Sequence, residues 1–130
     1  MNVIEMLSSL PAMTEEERKK CQRVADVFNP IVEQEGNCVA DAGRFGFVYL
    51  ELCREDCPNN FAFDWNHLYF TAEDLFDELI NDVVNWKIHQ MARDTPLVKL
   101  ELDELYEVFN VNENEEFINL RTELFEKCFS

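Results

Sequence analysis

Cys53 and Cys57, with His67 and His89, are the residues whose types could hold a metal or activate a nucleophile. Structural zinc sites pair one closely spaced Cys half-site with a second half of similar spacing, and only one half is present here. Cys57 also abuts Pro58 in a stretch of turn formers, Cys53-Arg54-Glu55-Asp56-Cys57-Pro58-Asn59-Asn60. A Cys–His nucleophile needs its partners to meet only in space, but no local signature accompanies these residues. The five cysteines, Cys21, Cys38, Cys53, Cys57 and Cys128, are odd in number and irregularly spaced, without an export signal. They read as reduced, small buried hydrophobes rather than a disulfide framework. Gly43-Arg44-Phe45-Gly46 is too short for a phosphate-binding fingerprint and precedes a strand pattern rather than a helix. Glu113-Asn114-Glu115 and Asp103-Glu104 lack the glycine and ligand spacing of a calcium loop. No Gly-x-Ser-x-Gly element occurs. The expectation is a protein without catalytic residues, metal or cofactor, and a small Cys/His metal or redox enzyme ranks last among its readings.

The carboxylates are a different matter. The chain carries a formal net charge of −16, and its distribution is uneven. Residues 1–36 hold seven acids and four bases, residues 37–70 five and two, and residues 71–130 fifteen and five. Asp74, Glu78 and Asp82 stand four apart on an expected helix, with Asp77 alongside. Like charges at that spacing destabilise a helix by a few tenths of a kcal/mol per pair, so stability alone would favour lysine there. Glu101, Glu104 and Glu107, then Glu113, Glu115 and Glu116, extend the negative surface, with Asp103 among them. Such an array either keeps the protein dissolved through net charge or imitates nucleic-acid phosphates and occupies a basic groove.

The same charge excludes other classes. A direct DNA or RNA reader needs Lys/Arg clusters. The only one here, Arg18-Lys19-Lys20 with Arg23, follows three glutamates and reads as helix-surface ion pairing. Lysines and arginines are too few for an anionic membrane surface. No apolar stretch approaches the roughly 20 residues that span a bilayer, and Met1–Glu5 lacks a basic leader region. The expectation is a cytoplasmic protein.

The elements that must position these acids follow from periodicity. At 130 residues, 47% hydrophobic and with 11 phenylalanines, the chain is the size of one folded domain, residues 1–130. Val3 to Leu10 suits a short helix stopped by Pro11. Thr14 and Glu17 have capping-box spacing for a second helix, which places Cys21, Val24, Ala25, Val27 and Phe28 on one face. Asn29-Pro30 should end or kink it, with a further turn before Gly36. Arg44–Leu52 and Phe61–Asn66 read as strands of a hairpin spanning about residues 44–70. Two strands alone are marginal, so helices must cover one face or a third strand must come from Val39–Ala42 or Leu97–Leu102. The aromatic run Phe61, Phe63, Trp65, Tyr69 and Phe70 suits a core better than an exposed docking surface. Thr71 opens the clearest helix, to about Ala92, burying Leu75, Phe76, Leu79, Ile80, Val83, Val84 and Trp86. Thr95-Pro96 resembles a cap with proline at the first helical position. Leu97–Leu102 fits helix and strand alike, and Asp103–Phe109 fits a helix. Asn112 with Glu115 offers another cap, for a final helix over about residues 113–129 that buries Phe117, Leu120, Leu124, Phe125 and Cys128. The fold class is α+β, with three to five helices packed on a small antiparallel sheet.

Two functional readings share the charge logic. The first is a small acidic protein that occupies the basic surface of a nucleic-acid-processing protein. In size, charge and lack of enzymatic motifs it is similar to anti-defence (anti-CRISPR-like) inhibitors of bacterial viruses, an analogy of type that no residue pattern carries. The second is an immunity or antitoxin-like protein that neutralises a basic toxin nuclease. Both name a basic, nucleic-acid-binding protein as partner, and neither fixes the oligomeric state.

Overall fold

The structure, a computed structural model, describes residues 13–43, 46–51 and 68–130. The expected helix at Val3–Leu10, the expected strand at Phe61–Asn66 and the loop carrying Cys53 and Cys57 lie outside them. Four α-helices and a three-stranded antiparallel sheet make up the described fold, which is α+β as expected. Close contacts group the chain into two compact units, residues 1–75 and 76–130.

In the first unit, α1 spans Glu15–Val32. Thr14 stands in an extended conformation, and its hydroxyl accepts the Glu17 N–H at 3.1 Å, closing one of the open amides that begin every helix. Cys21, Val24, Ala25, Phe28 and Val32 recur at helical spacing and are buried, whereas Val27 is only partly so. Of the two outcomes expected at Asn29-Pro30, an end or a kink, the end does not occur: α1 runs through Pro30 to Val32, continues as a 3-10 turn over Glu33–Glu35, and stops at Gly36 in the left-handed region. Tertiary pairing outweighs the local preference. The Asn29 carboxamide accepts the Val39 N–H (2.8 Å) and donates to the Val39 carbonyl (3.1 Å), so the residue before proline is tied to the first strand.

That strand, β1, is Asn37–Asp41, the first of the two places expected for a third strand. It pairs antiparallel with β2, Phe47–Glu51, with Val39 opposite Tyr49. The other edge of β2 pairs with the two-residue β3, Leu68–Tyr69. α1 packs on β1. Phe47, Val48 and Tyr49 are consecutive and all buried, so the central strand is covered on both faces. Tyr69 and Phe70 are partly buried. Gly46 turns the chain into β2 with φ +86°, and a Cβ there would collide with the Tyr69 carbonyl oxygen. The glycine pair read against a phosphate loop thus belongs to a hairpin. Arg18 closes it from α1, donating to the Asp41 carboxylate and the Gly43 carbonyl, each at 2.5 Å, with its guanidinium over the Phe47 ring. Lys20 does pair along the helix with Glu16 (3.9 Å), but Arg18 leaves the helix surface to pin the loop.

The second unit is helical. α2 spans Ala72–Ala92 and starts in the first unit. After a left-handed Asp94 and a 3-10 turn at Pro96–Lys99, capped by the Thr95 hydroxyl on the Leu97 N–H, come α3, Leu102–Val108, and α4, Glu115–Phe129. Leu97–Leu102 is therefore not a strand. α3 ends in a left-handed Asn110, with the Asn110 N–H on the Glu107 carbonyl and the Val111 N–H on that of Tyr106. This is the Schellman closure, in which asparagine tolerates the positive φ and the next residue, here Val111, is buried. Asn114, not Asn112, caps α4 by accepting the Glu116 N–H at 2.9 Å, so the helix starts two residues later than expected. Phe117, Leu124 and Cys128 are buried and Leu120 partly so, but Phe125 is 51% exposed, against expectation. One side of its ring still meets Phe76 edge-on and Phe129 at 4.8 Å between centroids. Among the described residues no helix is long and apolar enough to cross a membrane.

Candidate functional site

α2 sorts its side chains by rotation of 100° per residue. Leu75, Phe76, Leu79, Ile80, Val83 and Val84 are buried, while Trp86 is partly exposed and Ile88 buried. On the opposite arc Asp74, Asp77 and Asn81 are exposed and Glu78 and Asp82 partly so. None of these four acids forms an ion pair with a lysine or arginine among the described residues. α3 repeats the arrangement in short form. Leu105 is buried, and Asp103, Glu104 and Glu107 follow one another around the outer face beside Val108, itself 52% exposed. Glu101, Glu113, Glu115 and Glu116 are exposed as well.

Position on the helix separates acids that serve the fold from acids that do not. A helix N-terminus carries partial positive charge, so carboxylates in the first turn stabilise it. Asp74, Glu104, Glu115 and Glu116 stand in such turns. The Glu104 carboxylate also accepts the Glu101 N–H at 3.1 Å, and that of Glu113 accepts from the Asn110 side chain at 3.3 Å. Glu116 takes an ion pair from Lys87 at 2.9 Å, the one charge among the ten predicted site acids neutralised by a base of the described residues. Lys87 also lies 5.8 Å from the Phe117 ring centroid. Asp77, Glu78, Asp82 and Glu107 have no such local duty. They sit beyond the first turn, where further negative charge brings only repulsion.

The thiols give no sign of activation where they are described. Cys21 and Cys128 are buried. Burial pushes the Cys21 thiol up to about 11, helped by the negative charge of Glu17, and burial raises Cys38 as well. Both shifts disfavour the thiolate that nucleophilic chemistry needs. His89 is exposed on α2, while Cys53, Cys57 and His67 lie outside the described residues. Among the described residues no group of three or more His, Cys, Asp or Glu could hold a metal ion.

A cleft in the second unit escaped sequence reading. It encloses about 190 Å³ and is lined by Asn81 and Val84 of α2, Tyr106 of α3, Val111 and Asn112 of the following turn, and Phe117, Ile118 and Arg121 of α4. The Tyr106 hydroxyl donates to Asn85 at 2.5 Å. Burial raises the phenol's pKa, and the Arg121 guanidinium acts in the opposite direction. Four separate segments build this cleft, and periodicity within any one of them cannot show it.

No family model, curated protein or solved structure matches the chain.

Proposed function

We propose that the protein is a small acidic binding protein that inhibits a nucleic-acid-processing protein by occupying its basic surface. The observation that carries this reading is the run Asp77, Glu78 and Asp82 on α2. These three carboxylates stand past the helix's first turn, Asp77 exposed and Glu78 and Asp82 partly so, and pair with no lysine or arginine among the described residues. Maintaining them against mutual repulsion is reasonable if a partner supplies the missing positive charge. Glu107, with Glu101, Glu104, Glu113 and Glu115, adds exposed charge from α3 and the start of α4. The half-exposed Val108 and Phe125 offer the apolar contact that an acidic rim alone lacks.

The test is affinity capture from the native host with the full chain and with its Asp77→Asn/Glu78→Gln/Asp82→Asn variant. The wild type should retain a basic partner whose association slows steeply between low and physiological salt, and the variant should lose it while keeping its fold. Equal capture by both proteins would move the interface away from α2.

A further inference from the structure

We propose that the cleft formed by α2, α3 and α4 in the second unit binds an organic carboxylate carrying an apolar group of about phenyl size, with Arg121 receiving the carboxylate. This goes beyond the reading of the acidic faces and uses the opposite charge. The inference starts from Arg121 itself. Residues 71–130 hold fifteen acids, yet Arg121 forms no ion pair among the described residues. Its own helix explains part of this, because the positions three and four away are Phe117, Ile118, Leu124 and Phe125, all apolar. The two α4 neighbours nearest the cleft are therefore hydrophobic, and Arg121 is left in a lining shared with Tyr106 and the carboxamides of Asn81 and Asn112. A guanidinium is planar, permanently charged and forked, which matches two carboxylate oxygens at once. Asparagine carboxamides supply further N–H donors for the same group.

The rest of the lining sets the body of the ligand. Val84, Val111 and Phe117 are each no more than 8% exposed, and Ile118, 45% exposed, forms the apolar side nearest solvent. At about 190 Å³ the space is smaller than the roughly 300–1,000 Å³ of clefts that hold drug-sized ligands. It suits one ring or a short branched chain. The Schellman turn at Asn110 fixes Val111 in the lining, so the cleft is preformed by the chain's own hydrogen bonds.

The surrounding negative field repels anions at long range. Attraction must therefore come from contact with Arg121, and salt screens both that contact and the surrounding repulsion, so affinity should depend on salt less steeply than that of the basic partner. The basic partner is read by Asp77, Glu78 and Asp82 and the small carboxylate by Arg121, so the two proposals fail independently.

The experiment is a titration of the full, isotopically labelled chain followed by amide NMR, using phenylacetate, phenylacetamide, and acetyl-Gly-Phe with a free C-terminus. Phenylacetate should shift, saturably, the amides of the segments around residues 81–85, 106–112 and 117–121. Phenylacetamide should bind at least about tenfold more weakly, the loss expected for a charge-assisted contact. Arg121→Gln should abolish that preference. Asn81→Asp, which places a competing carboxylate in the lining, should reduce phenylacetate binding while leaving the spectrum folded. Equal binding of phenylacetate and the peptide supports a site for a carboxylate beside a phenyl ring whatever carries it, and binding of the peptide alone overturns the assignment to a small carboxylate. Absence of saturable shifts with both acids, or an Arg121→Gln variant that binds phenylacetate as well as the wild type, overturns the proposal.

Discussion

The long-range polar bonds of the first unit contrast with the unbonded helix-face carboxylates of the second. In the first, polar groups turn back onto the chain. Arg18 ties the hairpin, Asn29 holds β1, and the Glu17 carboxylate accepts the Ala72 N–H at 2.7 Å, across 55 positions of sequence. In the second, α2 and α3 send most of their carboxylates into solvent, and among the described residues only Lys87 reaches back to a predicted site acid. Charge count alone would not distinguish a bonded carboxylate from a presented one. What separates them is whether a donor lies within reach. Among the acids of α2 and α3, those past the first turn are the ones left available.

The contrast is most easily broken at Gly46. Gly46→Ala must accommodate a Cβ against the Tyr69 carbonyl at positive φ, and should lower unfolding free energy by about 3 kcal/mol. Urea denaturation checks it, and a shift below about 1 kcal/mol would mean the hairpin yields. Asn29→Ala removes both bonds to Val39 and leaves two part-buried backbone groups without partners. A loss of about 2–3 kcal/mol is expected from the same measurement.

Alkaline pH probes the first unit differently. The folded Cys21 thiol titrates at about 11, above its ordinary 9.0, so unfolding releases its proton more readily. Stability is full below pH 9 and falls as pH rises from 9 to 11, by an amount on the order of 2 kcal/mol. Cys21→Ala should flatten that limb of the pH–stability curve; an unchanged slope would assign it to other groups. The smallest effect belongs to the second unit. Asp77→Asn/Glu78→Gln/Asp82→Asn should leave thermal stability unchanged or raise it by a few tenths of a kcal/mol, because only repulsion is removed. A loss above about 1 kcal/mol would show that these acids are bonded after all and would erase the distinction between the units.

Legibility in the sequence depended on how local the determinants of each element are. α2 was readable almost to the residue, because a long amphipathic helix is fixed by its own periodicity and by Thr71, whose hydroxyl accepts the Asp74 N–H. The caps at Thr14 and Thr95 were readable for the same local reason. What periodicity could not reveal depended on distant partners. α1 continues through Pro30 because Asn29 is held by a strand ten positions on. Arg18 abandons its helix for Asp41, and Asn114 outcompetes Asn112 as a cap while its own amide donates to the Phe109 carbonyl. Of the candidate site, exposure of the acids could be anticipated from spacing, whereas the pairing of Glu116 with Lys87 could not. The cleft around Arg121 was invisible, since its lining converges from three helices and a turn.

The contact between Glu17 and Ala72 has one more implication. The blunt end of a helix is ordinarily the place where a passing phosphate would settle, drawn by amides with nothing to hold. On α2 that berth is already taken: Glu17 fills it at Ala72 and Thr71 at Asp74. The start of the helix is therefore closed by the chain's own carboxylate and hydroxyl, and an anion arriving there would meet Glu17 instead of an open Ala72 amide.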